Sequence, residues 1–81
     1  MTYAKLAEML RPFGFEQKPT EGEHCLLQHE KEKDWVIVFP GGKRFQKRVE
    51  IPDLMSLRAH FDHWGLLHTK TIEELVEKLQ K

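Results

Sequence analysis

Trp35-Val36-Ile37-Val38-Phe39 is built entirely from aromatic and β-branched residues, the side chains that fit a pleated, half-buried surface. A run this short, closed by Pro40-Gly41-Gly42, is a strand rather than a length of buried helix. Because it is apolar on both faces, it is expected at the centre of a sheet or packed on both sides. Upstream, the polar run Glu30-Lys31-Glu32-Lys33-Asp34 reads as a hairpin connection to a second strand, His24 to His29. Before that, Pro19-Thr20-Glu21-Gly22-Glu23 has turn chemistry, since proline fixes one dihedral and glycine permits the opposite sign. Phe15 to Lys18 then supplies a short third strand.

Helices flank this core on both sides. Thr2 is a candidate N-cap, and Tyr3, Leu6, Leu10 and Phe13 recur at the three- and four-residue spacing of one helical face. Pro12 disfavours helical geometry at Arg11 and Gly14 supplies a stop, so the helix is expected to end near residue 11. After the strands, Lys43-Arg44-Phe45-Gln46-Lys47-Arg48 reads as a basic loop or short strand. Pro52 suits the first turn of a helix, along which Leu54, Leu57, Phe61 and Trp64 form an apolar stripe that Gly65 closes. Thr71 and Glu74 have the reciprocal capping-box spacing, and Ile72, Leu75, Val76 and Leu79 make a third amphipathic face. The order α-β-β-β-α, with a further short C-terminal helix, predicts one α+β domain over residues 1–81: a small three-stranded antiparallel sheet packed on helices.

Eighty-one residues leave no room for a second core, and a chain this short buries only about 60–65% of the surface exposed when unfolded. A large internal cofactor cavity is therefore not expected, and no cofactor is assigned. Thirteen Lys and Arg balance thirteen Asp and Glu, so any grip on nucleic acid must come from a local patch rather than from net charge. The single Cys25 excludes an internal disulfide, which favours a reducing, cytoplasmic setting. No stretch approaches the roughly 20 apolar residues of a membrane helix, and Met1 to Glu8 lacks a signal-peptide core.

Five histidines raise the question of a metal. His60 and His63 lie three apart on a helix and His68 just beyond it, without the three or four converging ligands that zinc needs. Cys25 and His29 share a strand face but stand about 13 Å apart at the usual rise; no metal site is expected. Cys25, followed by Leu26 and Leu27, reads as a small core residue. His24 cannot activate it, because adjacent strand side chains point to opposite faces.

The remaining constellation is Gly22-Glu23-His24, a histidine directly after a glycine turn, together with the basic segment. A histidine held by a sheet yet reachable by substrate can exchange protons near neutral pH. RNA cleavage requires this, because the 2′-hydroxyl loses a proton and the departing 5′-oxygen gains one. Lys43, Arg44, Lys47 and Arg48 supply four positive charges with no acid among them, suited to phosphates and to the charge of the transition state. Phe45, set among them, offers a stacking face for an unpaired base.

In these pieces the chain resembles the HicA (YcfA-like) toxin family, small double-stranded-RNA-binding-domain-like proteins that act as messenger-RNA interferases. Leu6 to Phe15, LAEMLRPFGF, is similar to the family's first helix and its glycine–aromatic ending. Gly22-Glu23-His24 resembles its glycine–small residue–histidine motif, Val36 to Pro40 its third strand closing on proline, and Ile51-Pro52 through Gly65-Leu66 its second helix. Thr71 to Leu79 resembles the short terminal helix of many members. The resemblance implies a metal-independent endoribonuclease with His24 as catalytic residue and Gly22 as the turn that lets RNA approach. It also implies messenger RNA and a HicB-type antitoxin as partners, with an inactive RNA- or protein-binding module as the alternative. This chain departs from the motif at Glu23, where the family carries serine or threonine, and in its zero net charge.

Overall fold

The computed structural model describes residues 1–80, and the chain divides into two compact units, Met1–Val49 and Glu50–Lys81. In the first, α1 (Tyr3–Met9) starts where the Thr2 hydroxyl accepts the Lys5 backbone N–H at 3.1 Å. At two turns α1 is too short to hold by itself, and its buried residues Tyr3, Leu6 and Ala7 supply the stability. It runs through Leu10 into a 3₁₀ turn, Arg11–Phe13, and stops at Gly14, whose φ of 95° lies in the left-handed region open to glycine.

Three strands follow: β1 (Phe15–Lys18), β2 (His24–His29) and β3 (Val36–Pro40). They form an antiparallel sheet in the order β1-β2-β3, paired Phe15 to His29 and His24 to Pro40. Cross-strand partners share a face, so Phe15, Cys25, Leu27, Ile37 and Phe39 form one buried inner row. The inner row lies under α1, where the Tyr3 and Phe39 rings meet at 5.5 Å. The other face carries Lys18, His24, Leu26, Gln28, Val36 and Val38.

Here the structure corrects two expectations. The apolar run is an edge strand, not the central one, and Val38 is 54% exposed. Two short connections make a meander, which puts the strand that is second in the chain in the middle. The basic segment also differs from the loop or strand expected: Gly42–Gln46 is a 3₁₀ turn, and Arg48 forms an isolated bridge with Thr2.

The second unit holds α2 (Ile51–His63) and α3 (Ile72–Leu79). Pro52 stands in the first turn of α2, and the buried stripe is Leu54, Leu57 and Phe61. Trp64 is half-buried, tilted against Phe61 and stacked on His60 with ring centroids 5.1 Å apart. At α3 the Thr71 hydroxyl accepts the Glu74 N–H at 3.1 Å. The Glu74 carboxylate reaches back to the Lys70 N–H at 3.0 Å, one residue further than the reciprocal box requires. That backbone hydrogen bond, with Lys78 nearby, holds the Glu74 carboxyl below its ordinary value.

The lowered value fixes a sign. The carboxylate's contribution is present above the ordinary carboxylate range and is lost as pH falls through the folded-state value. Glu74→Gln is therefore expected to melt α3 more readily than wild type near neutrality. In circular dichroism melts taken from about pH 6 to about pH 3, the gap should close at the acid end. A gap that stays constant to the acid end would show that the charged carboxylate adds nothing to this cap.

Candidate functional site

His24 is the first residue of the middle strand, and its backbone is held from both sides. Its carbonyl accepts the Thr20 hydroxyl at 3.0 Å, and Pro40 stands opposite it in the register. The Gly41 N–H donates to the Glu23 carbonyl at 2.9 Å, continuing the pairing one residue beyond the strand. Gly41 is buried, and a Cβ there would lie 2.9 Å from both the N and C atoms of His24. Only glycine lets the two backbones approach this closely. On the other side Gly22 has φ 84°, and a Cβ on it would stand 3.9 Å from His24 Nδ1. A side chain there would make only an ordinary contact with the ring, so it is the left-handed φ that calls for glycine at this turn. The imidazole itself is exposed and has no hydrogen-bond partner among the described residues.

Glu23 precedes β2 rather than belonging to it, and its carboxyl carbon lies 3.2 Å from where a Cβ on Gly42 would stand. The carboxylate therefore borders the start of the basic turn. Lys43, Arg44, Lys47 and Arg48 are all exposed, and none forms an ion pair among the described residues. Their backbone is tied to the chain start, because Tyr3 N–H donates to the Lys47 carbonyl and Val49 N–H to that of Met1.

Phe45 does not stand out among these cations. It is half-buried and lines a cleft of about 480 Å³ with Ala4, Ala7, Arg11, Gln17 and Leu27. Leu27 belongs to the inner face of the sheet, so the cleft and His24 lie on opposite faces. The structure brings Gly22, Glu23, His24, Gly41 and Gly42 together and puts Phe45 elsewhere.

No known family model, curated protein or solved structure matches the chain.

Two other histidines have roles that sequence reasoning missed. His29 Nδ1 accepts the backbone N–H groups of Lys31 and Glu32 at 3.1 and 3.0 Å, which puts the ring hydrogen on Nε2. Its ring packs edge-on against Phe15 and Trp35, and a Cβ on Gly14 would come within 2.6 Å of Nε2. It is a hairpin clamp, and a polar turn immediately after it was the available signal. On α2, Asp62 takes His68 Nδ1 at 2.5 Å, while Arg58, one turn earlier, donates to the Thr69 carbonyl at 2.6 Å. These two side chains fasten the segment after α2, and no sequence motif announces the pairing.

Cys25 lies on the inner face opposite Phe39, and burial raises its thiol above the ordinary value. A protonated, covered thiol is no nucleophile at neutral pH. Among the described residues no three His, Cys, Asp or Glu side chains converge where an ion could sit. None of the described helices is long and apolar enough to cross a membrane.

Proposed function

We propose that this chain is a HicA-like toxin: a cytoplasmic, metal-independent endoribonuclease that cuts messenger RNA and is held in check by a HicB-type antitoxin. The observation that carries the reading is the exposed His24 imidazole on a backbone clamped between two glycine-containing turns. Four cations with no ion-pair partner among the described residues lie in and just after the second of those turns. Neutral imidazole takes the 2′-hydroxyl proton as that oxygen attacks phosphorus; the bond from phosphorus to the 5′-oxygen breaks, and a proton returns to the leaving oxygen. Lys43, Arg44, Lys47 and Arg48 hold the neighbouring phosphates and offset the charge gained in the transition state.

Two observations favour a second reading, a module that binds RNA or a protein partner without cutting. Glu23 sets an anion at the start of the basic turn, and no side chain orients the His24 ring among the described residues. The deciding experiment is a cleavage assay on single- and double-stranded RNA with a chelator present. Cleavage by the purified chain, together with growth arrest when it is expressed alone, is the expected result. Salt-sensitive binding with no cleavage would establish the second reading instead.

A further inference from the structure

We infer that the cleft between α1, the inner face of β1 and β2, and Phe45 is a pocket for one unstacked base of a single-stranded RNA. The inference rests on the RNA reading above and adds a site to it, on the face of the sheet away from His24.

The cleft, about 480 Å³, falls in the range of small-ligand sites. Leu27, Phe45, Ala4 and Ala7 line it together with Glu8, Arg11, Glu16 and Gln17, and its exposed lining is somewhat more polar than apolar. The two alanines are what keep the space open, since a longer side chain at either position would occupy it. The rim is polar. Glu8 and Glu16 each have a lysine partner, Lys5 at 3.9 Å and Lys18 at 3.1 Å. Arg11 and Gln17 have no side-chain partner among the described residues.

An aromatic ring set in a cleft of mixed polar and apolar lining fits a flat ring, and the free Gln17 carboxamide fits a ring that carries donors and acceptors. An aliphatic ligand would leave Gln17 and Arg11 unanswered, and a simple anion would make no use of Phe45. Phe45 also lies in the chain between Arg44 and Lys47. A strand whose phosphates rest on those cations reaches the ring only with a base turned inward past the turn, and stacking on an aromatic is open to any base. Because His24 is on the opposite face, the captured base belongs to a nucleotide away from the scissile phosphate. The pocket then contributes affinity and register rather than chemistry.

The test uses the full chain carrying His24→Ala, so that RNA is not consumed, titrated with a short single-stranded RNA containing 2-aminopurine. Binding with a fluorescence change is expected. Phe45→Ala should weaken it about tenfold or more. Ala4→Leu, at a half-buried position lining the cleft, should weaken it comparably while keeping Phe45. Melting curves of both variants establish that they are folded. Unchanged affinity in both variants would overturn the pocket and leave the RNA reading standing. A loss confined to Phe45→Ala would also overturn it, by placing the stacked base outside the cleft. Failure of the otherwise unaltered chain to bind any RNA would overturn the RNA reading, and the pocket with it.

Discussion

Replacing His24 with alanine is expected to lower RNA cleavage by about 10²-fold or more, the usual contribution of a positioned acid/base group. The side chain is exposed and has no hydrogen-bond partner among the described residues, so its removal opens no cavity and breaks no network. Stability should stay within about 0.5 kcal/mol of wild type, as for an ordinary surface substitution. RNA affinity should also hold, because Lys43, Arg44, Lys47 and Arg48 carry the phosphate contacts and their number sets the salt dependence. The variant therefore separates chemistry from binding: initial cleavage rates fall while the binding curve and the melting curve stay in place. Equal cleavage rates for His24→Ala and wild type would remove His24 from the mechanism. Cleavage and affinity falling together would make the ring a contact rather than an acid/base group.

Much of the fold was legible because it depends on local rules. Thr2 and Thr71 cap the helices they were expected to cap, and the three strands form in the expected segments, set off by turn residues, with β3 the one β-branched and aromatic run. What misled was reading sheet position from hydrophobicity. Val36 to Phe39 is as apolar as a central strand, yet β2, with its polar His24, Gln28 and His29, occupies the middle. Strand order is set by connectivity: two short connections fold neighbours in the chain into neighbours in the sheet. The exposed Val38 is the residue that this order leaves uncovered.

The candidate site was legible only in part. A glycine turn before His24 was visible in the sequence, but the second turn, Gly41-Gly42, lies seventeen and eighteen residues further along the chain. That it meets His24 depends on the β2–β3 register, which no local pattern specifies. Phe45 was misplaced for a related reason. In a loop or strand it would stand among its basic neighbours, but the 3₁₀ turn rotates successive side chains by about a third of a circle. One side chain of that turn therefore points inward while Lys43 and Arg44 stay in solvent. His29 was considered only as a metal ligand, whereas its use is to accept two backbone N–H groups of the following turn.

Gly41→Ala is expected to destabilise the chain by about 1–3 kcal/mol, the range for forcing an extra methyl into filled space, and to reduce cleavage further than unfolding accounts for. The reason is space and not conformation, since φ at Gly41 is −106°, which any residue adopts. The added Cβ would lie 2.9 Å from the N and C atoms of His24 and 3.0 Å from the C atom of Glu23. All three are backbone atoms, so no side-chain rotation relieves the contact. Either the Gly41 N–H to Glu23 carbonyl bond lengthens from 2.9 Å, or the start of β2 moves. Both displace the residue on which the imidazole is mounted, and a misplacement of about 1 Å can cost up to about 10²-fold in rate. Urea denaturation gives the stability loss, and cleavage measured well below the new melting temperature gives the site effect. A rate that falls only in proportion to the folded fraction would make Gly41 a packing residue alone. A larger fall, with the binding curve unmoved, would show that the Gly41 contact sets the position of His24.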